Sequence, residues 1–242
     1  MISLGVAVAD RMRPDRDGRG VVLYYHAVPR LLRERFARQM DMLVERARPW
    51  SLDQPPPGAG RWVGISFDDA YVSVWENAVP ELVKRRLPFT VFVPTGCLGE
   101  RPSWVQSPAH PFWRERVMSP GELQELVQVP GATIGSHTVS HPRLTQLSHD
   151  ALRRELRESK ARLEDLVGRP VELLSFPHGA WNKAVVCAAW EAGYTRLFGI
   201  EPTCLAGGAL PDILGRVAVE PSDTRLEFAL KMNGCYRWRS KS

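Results

Sequence analysis

The chain of 242 residues is 44% hydrophobic and 24% charged, which suits one large α/β domain or two small ones. Its formal net charge of +5 comes mainly from scattered arginines. This charge is compatible with an anionic substrate, a lipid surface or nucleic acid and selects none of them, so we expect a solvated basic surface and no nucleic-acid partner. The four cysteines form no CxxC pair, which argues against a zinc ribbon or a disulfide framework.

The N-terminal segment over residues 1–19 is predicted to be a flexible, polar lead-in. Its apolar stretch of about eight residues has no basic start, and no apolar run in the chain approaches the roughly 18 residues of a membrane span. We therefore expect neither a secretory signal nor a transmembrane segment, and we predict a cytoplasmic protein. Residues 20–242 contain no internal repeat, phosphate-binding glycine motif or linker, and are predicted to form one domain.

Strand and helix alternate along the remaining chain. Apolar runs predict strands at 21–25, 62–67, 89–93, 132–135, 172–176, 195–200 and 213–219. Helical spacing and turn residues predict helices at 32–47, 72–86, 120–128, 148–167, 182–193 and 223–232, with a loop at 53–61. This alternation implies parallel βαβ units, and favours an α/β fold of the incomplete (β/α) barrel type with about seven parallel strands over an open doubly wound sheet.

Residues 97–118 form the longest irregular segment of the prediction. They contain several prolines and the tryptophans Trp104 and Trp113. Such a segment is either a lid or wall of a functional cleft or a packed surface loop, and the sequence favours neither.

Two polar clusters follow predicted buried strands and together indicate a metal-dependent hydrolase. Asp68 and Asp69 end the strand at 62–67, while His137 and His141 follow the strand at 132–135. Two imidazoles and a carboxylate make a three-ligand catalytic zinc site, and a second carboxylate can take a proton from water. Alone, an HxxxH pair arises often by chance and adjacent aspartates commonly cap helices, so the combination carries the inference.

Further polar residues fall at the same ends of other strands. His26 ends the first strand, the sequence PHG follows the strand at 172–176, and Arg216 lies in the strand at 213–219. Functional groups of parallel α/β barrels collect at the C-terminal ends of the strands. A lone His26 would be a structural histidine, but its position among these clusters favours a functional one.

Three ordered motifs resemble those of the polysaccharide deacetylases of carbohydrate esterase family 4. They are ISFDD at 65–69, SHTVSHP at 136–142 and SFPHGAWN at 175–182. The likeness spans roughly residues 20–220 and includes FVPTG at 92–96, which resembles the third strand of that family and its turn. YYHAV at 24–28 resembles the opening of the poly-N-acetylglucosamine deacetylase branch.

The resemblance implies a distorted (β/α) barrel and a catalytic domain that holds a divalent metal through Asp69, His137 and His141. It also implies that Asp68 is the general base for the attacking water. The family stabilises the tetrahedral oxyanion partly with the backbone N–H of the residue after the proline of the third motif, here His178.

The sequence departs from the family pattern at three points. The position of His178 is usually tyrosine, although its backbone donor would survive this change. The late histidine motif that supplies the general acid is missing, but in the resembling branch an N-terminal histidine takes this role, which makes His26 the candidate. In the family, an arginine before the third motif adjusts the pKa of the general base, but here Leu173 and Leu174 occupy that region. Arg216 is a candidate substitute; alternatively it is an ordinary surface or carboxylate-pairing arginine.

The expected function is metal-dependent N-deacetylation of an N-acetylated amino sugar, with a cytoplasmic glycan precursor, including a lipid-linked one, as a candidate substrate. A deformylase or other small-molecule amide hydrolase is the alternative, and an inactive glycan-binding descendant is a third reading that the intact aspartates and histidines oppose. Zn²⁺ is the default ion, and Co²⁺, Ni²⁺ or Fe²⁺ can occupy the same ligands.

Overall fold

The computed structural model describes residues 19–57, 60–206 and 210–234. The lead-in predicted for residues 1–19 lies outside these ranges except for Arg19, which begins the first strand. Within the described ranges, no helix is both long and apolar enough to cross a membrane.

Ten strands of the described chain form one sheet. They are β1 (Arg19–Tyr25), β2 (Arg48–Trp50), β3 (Arg61–Phe67), β4 (Phe89–Val93), β5 (Ala132–Ser136), β6 (Leu173–Ser175), β7 (Arg196–Phe198), β8 (Leu205–Ala206), β9 (Ile213–Leu214) and β10 (Val217–Ala218). Eight of them follow the order β10-β1-β3-β4-β5-β6-β7-β9, while β2 pairs with β3 and β8 pairs with β1. All pairs are parallel except β1 with β8.

The two ends of this path, β9 and β10, are neighbours in the sequence. Only Gly215 and Arg216 separate them, so the chain itself joins the first and last strands of the path. The sheet therefore curves into an incomplete barrel, which confirms the predicted α/β class, with eight strands in the path where about seven were expected.

The prediction of one strand over 213–219 is wrong. The run is split at Gly215 and Arg216, and its halves pair at opposite ends of the sheet. A Cβ on Gly215 would lie 2.0 Å from the carbonyl oxygen of Glu201, so only glycine allows the chain to cross here. Both halves are apolar, and each has one buried residue, Leu214 and Val217, so the run looks like one strand. The short strands β2 and β8 were not predicted, because two or three residues show no periodicity.

Six α-helices of the described chain pack around the sheet. They are α1 (Arg33–Arg46), α2 (Val79–Lys84), α3 (Pro120–Leu126), α4 (His149–Val167), α5 (Lys183–Glu191) and α6 (Arg225–Met232). All lie within the predicted ranges, but part of the helix expected at 72–86 is a π-helical turn, Val74–Ala78.

Helix α4 shows how local sequence sets the bounds of an element. The Ser148 hydroxyl accepts a hydrogen bond from the backbone N–H of Ala151 and caps the first turn. Gly168 ends the helix with φ of 68°, a left-handed conformation that favours glycine. The apolar face buries Leu152, Leu156 and Leu163.

The two faces of the sheet have separate cores. The face under the helices includes Val63, Ile65 and Phe67, and the enclosed face is filled by large rings that include Trp62, Phe92 and Phe198. A Cβ on Gly20 would lie 1.9 Å from the ring of Trp62, so glycine at this position makes room for the indole. Because rings fill the interior, the polar groups gather at the mouth of the barrel where the strands end.

Candidate active site

The ends of β3 and β5 bring Asp69, His137 and His141 together. One potential ligand atom from each lies within 4.8 Å of the others. The Nε2 atoms of His137 and His141 are 3.6 and 3.4 Å from Oδ1 of Asp69, and all three residues are buried. The predicted ligand set is therefore assembled in space, from segments about seventy residues apart in the sequence.

The backbone of this cluster is held in uncommon conformations. Asp69, Thr138 and His141 have φ of 68°, 69° and 58°, in the left-handed region that costs energy for residues other than glycine. Contacts from α4 compensate for this cost. The carboxylate of Glu155 accepts hydrogen bonds from the backbone N–H of Val139 and of Ser140, at 2.8 and 2.9 Å. Sequence patterns do not indicate this role, because Glu155 is one of many charged residues on its helix.

Hydrogen bonding and burial prepare both imidazoles as ligands. Nδ1 of His137 lies 2.8 Å from the carbonyl oxygen of Ser175, so this nitrogen carries the proton. The lone pair of Nε2, on the side of Asp69, is therefore left for a metal ion. Burial lowers the pKa of His137 to about 4 and the pKa of His141 to about 2. Both rings are therefore neutral near pH 7, as metal ligation requires.

Asp69 has the properties of a carboxylate that needs a cation. Burial, together with the charge of the neighbouring Asp68, raises the pKa of Asp69 to about 8. Its buried Oδ1 has no hydrogen-bond partner among the described residues. A buried carboxylate oxygen flanked by two neutral imidazoles matches the donor set of a three-ligand catalytic metal site.

Asp68 is paired with Arg216. The two guanidinium NH groups of Arg216 donate to Oδ1 and Oδ2 of Asp68 at 2.7 and 2.8 Å. Burial alone would raise the pKa of Asp68, but the charge of Arg216 holds that pKa well below its usual range. Asp68 is thus an ionised carboxylate beside the candidate metal ligands.

Arg216 is itself fixed by further hydrogen bonds. Its Nε donates to the carbonyl oxygen of Gly199 at 3.0 Å, and one NH group donates to the hydroxyl of Ser175 at 2.7 Å. The side chain is fully buried, so Arg216 is not a surface arginine. Its place in the short link between β9 and β10 points the guanidinium at the barrel mouth.

His26 follows β1 at the same mouth. Its ring contacts Tyr24 edge-on and stacks on Phe112, with centroid separations of 5.6 and 5.5 Å. Burial lowers the pKa of His26, and the charge of Asp68 partly offsets this effect. The Asp68 carboxylate therefore favours the protonated form of the His26 ring.

His178 lies at the rim, after β6. Its exposed ring packs edge-on against His141 with a centroid separation of 4.6 Å. The residue has φ of 58°, within the turn Pro177–Gly179, and no hydrogen bond joins its backbone N–H to another described residue. This N–H is therefore available as a donor.

The segment at 97–118 forms a wall of the site. At the start of the segment, the N–H of Gly96 donates a hydrogen bond to the carbonyl oxygen of Val139 in the histidine motif, at 2.8 Å. Near its end, the carbonyl oxygen of Arg116 accepts a hydrogen bond from the N–H of Val72, shortly after Asp69, also at 2.8 Å. Between these anchors, Trp104 stacks on His141 with centroids 4.1 Å apart, and Phe112 covers His26. Of the two readings left open by the sequence, the structure favours the cleft wall.

Comparisons with known proteins agree with this geometry. The family described as polysaccharide deacetylase matches residues 56–197. The Bacillus subtilis protein YxkH is 26% identical over 170 residues, which cover 70% of this chain and 56% of that protein. The poly-β-1,6-N-acetyl-D-glucosamine N-deacetylase of Staphylococcus aureus is 24% identical over 179 residues, 71% of this chain and 58% of that protein. The chain thus spans less than two thirds of the length of these relatives.

Solved structures share the fold. IcaB from Ammonifex degensii superposes with a TM-score of 0.75 at 22% identity, over 89% of this chain and 96% of that one. The deacetylase PplD of Streptococcus pyogenes gives a TM-score of 0.71 at 20% identity, over 88% of this chain and 98% of that one. At these identities the likeness is one of fold.

Proposed function

Because the chain belongs to the polysaccharide deacetylase family, we propose that it is a metal-dependent N-deacetylase that removes acetyl from an N-acetylated amino sugar of a glycan or glycan precursor. The observation that carries this proposal is the cluster of Asp69, His137 and His141 with the ionised Asp68 beside it. The Staphylococcus aureus relative, named as an N-deacetylase of an N-acetylglucosamine polymer, supports the substrate class.

We assign Asp69, His137 and His141 as the ligands of a divalent ion. Such an ion would supply positive charge that polarises the acetamide carbonyl and acidifies water. Zn²⁺ fits one carboxylate and two imidazoles, and Co²⁺, Ni²⁺ and Fe²⁺ accept the same donors.

Asp68 acts as the general base in this proposal. Arg216 keeps the carboxylate ionised and fixes its plane through two parallel hydrogen bonds. Each carboxylate oxygen retains a second lone pair, so Asp68 can still accept the proton of the water that attacks the acetamide carbon.

His26 and His178 complete the reaction. The amine must gain a proton as the C–N bond breaks, because an amide anion is a very poor leaving group. His26, at the same barrel mouth, donates this proton as the general acid. The backbone N–H of His178 donates to the oxygen that becomes negative when water attacks.

The test is a panel of oligosaccharides incubated with enzyme loaded with Zn²⁺ and analysed by mass spectrometry. N-acetylated amino sugars should lose acetyl units one at a time, while O-acetylated and N-formylated analogues separate esterase and deformylase activity. Turnover of the N-formyl sugars alone would replace the proposal with a deformylase. Absence of any turnover in folded, metal-loaded protein would favour a glycan-binding role.

The cytoplasmic location stays a prediction, as does a glycan precursor as the substrate. Immunodetection in fractionated cells tests the first. Comparing turnover of lipid-linked and free acetylated sugars tests the second.

A further inference from the structure

A cleft of about 480 Å³ lies between α5 and the chain that follows β7. Trp181 and Trp190 line it and are 39% and 45% exposed. Together with Ile200, they are three of the seven large hydrophobic side chains exposed in the described chain. Half-exposed indoles beside a cavity are typical of binding surfaces, because they offer a flat apolar face and a polar N–H.

One end of the cleft, at Trp181 and Gly199, adjoins the rim of the candidate active site. Trp181 is three residues after His178. A Cβ on Gly179 would lie 2.2 Å from Cγ1 of Ile200, so the turn after β6 packs tightly against the chain after β7. Gly199, which borders the cleft, also accepts the hydrogen bond from Nε of Arg216. The backbone that holds Arg216 therefore also forms the edge of the cleft.

The polar residues of the cleft select the chemistry of its ligand. Lys183, Glu201 and Asp212 line it beside the indoles, and together they carry one net negative charge. Hydroxyl and acetamide groups can both donate to the carboxylates and accept from the ammonium group. An anionic lipid or nucleic acid would meet two carboxylates here, which disfavours it.

We propose that this cleft, which we call the Trp181–Trp190 cleft, binds a neighbouring sugar unit of the glycan whose acetyl group lies at the metal site. The inference rests on the proposed function. Sugar rings stack on the indole faces while Lys183, Glu201 and Asp212 bind their hydroxyl and acetamide groups. The cleft thereby favours oligosaccharides over monosaccharides.

The exposed thiol of Cys187 lines the cleft and gives a readout that does not depend on turnover. Its alkylation by a maleimide, followed by peptide mass spectrometry, is measured in the full-length protein with increasing concentrations of an N-acetylglucosamine oligosaccharide or of the monosaccharide. The oligosaccharide should protect Cys187 in a saturable way, and the monosaccharide should protect it far less. Unchanged alkylation at concentrations that saturate turnover would overturn the proposal, as would protection by an apolar peptide and not by the oligosaccharide.

Trp190→Ala should raise the KM for the oligosaccharide about tenfold and leave the KM for the monosaccharide unchanged. Trp190→Phe keeps an aromatic face and should restore most of the affinity. Leu226→Ala is the control, since Leu226 is 60% exposed on α6 and does not line the cleft. An equal effect of Trp190→Ala on both substrates, or no effect on either, would contradict the proposal.

The two proposals can fail separately. If no acetylated sugar is hydrolysed but the oligosaccharide still protects Cys187, the deacetylase function is wrong and the sugar site stands. If hydrolysis proceeds with no dependence on chain length and no protection, the sugar site is wrong and the deacetylase function stands.

Discussion

Arg216 forms two parallel hydrogen bonds with Asp68, a residue 148 positions earlier in the chain, and both side chains are buried. This pair places an ionised carboxylate next to the metal-ligand cluster, and its geometry follows from the barrel. β3 delivers Asp68 to the mouth, and the crossing between β9 and β10 delivers Arg216. The pair thus links the closure of the fold to the chemistry of the site.

Loss of Arg216 should affect stability more than a surface substitution would. Arg216→Met leaves the buried carboxylate of Asp68 without a partner, so we expect the free energy of unfolding to fall by about 3–5 kcal/mol. The double variant Arg216→Met with Asp68→Asn removes both charges and should recover much of this loss. Urea unfolding of the wild type, Arg216→Met, Asp68→Asn and the double variant measures the coupling, and additive effects would contradict the pairing.

Arg216→Lys tests the orienting role. Lysine keeps the charge but cannot form the planar pair of hydrogen bonds, so we expect kcat to fall roughly 10- to 100-fold with the metal still bound. Steady-state kinetics together with metal analysis measure this, and Arg162→Lys on the surface of α4 is the control. Wild-type kcat in Arg216→Lys would show that orientation is unimportant.

His26→Gln tests the general acid through the leaving group. Hydrolysis of an acetamide needs a proton on the departing nitrogen, so we expect kcat on the sugar amide to fall about 10²- to 10⁴-fold. An activated acetate ester, with a leaving group that needs no proton, should be hydrolysed almost as fast as by the wild type. Equal losses on amide and ester would assign His26 to another role.

Metal binding should release protons in a pH-dependent way. The pKa of Asp69 is about 8, so the metal-free protein carries a proton there at pH 7, whereas His137 and His141 are already neutral. Binding of Zn²⁺ at pH 7 should therefore release about one proton from Asp69, besides at most one from water that the ion acidifies, and the Asp69 contribution should decline as pH rises above 8. Titration calorimetry in buffers of different ionisation enthalpy measures it. A release of more than two protons at pH 7 would mean that the histidines are charged in the metal-free protein, and no release would contradict a protonated Asp69.

Glu155→Ala should weaken metal binding without touching a ligand. Glu155 accepts hydrogen bonds from the backbone that carries His141, so its loss loosens the ligand loop, and we expect the Kd for Zn²⁺ to rise roughly 10- to 100-fold. Competition with a chelating dye measures the Kd. Glu158→Ala, an exposed position on the same helix, is the matched control, and equal Kd values for the two variants would contradict the role of Glu155.

The sequence predicted the parts of this site that lie next to strong local signals. Asp68 and Asp69 follow a buried strand and His137 and His141 follow another, so the end-of-strand rule for parallel barrels brings them together. The helices were predictable for a similar reason, because their apolar faces repeat along the sequence, as in α4.

Contacts between distant segments were not predictable in this way. Arg216 could have been a surface arginine, because nothing local shows that the apolar run at 213–219 breaks and crosses between two ends of the sheet. The wall at 97–118 has no periodicity, so stacking of Trp104 on His141 became visible only in three dimensions. Glu155 was missed for the same reason.

The central claim is that Asp68 removes a proton from water at a metal site formed by Asp69, His137 and His141. Acetate released from an N-acetylated amino-sugar oligosaccharide, measured for wild type and Asp68→Asn at equal Zn²⁺ occupancy, tests it most directly. We predict steady release by the wild type and a rate about 10²- to 10⁴-fold lower for the folded variant. Equal rates of acetate release by the two proteins would contradict the claim.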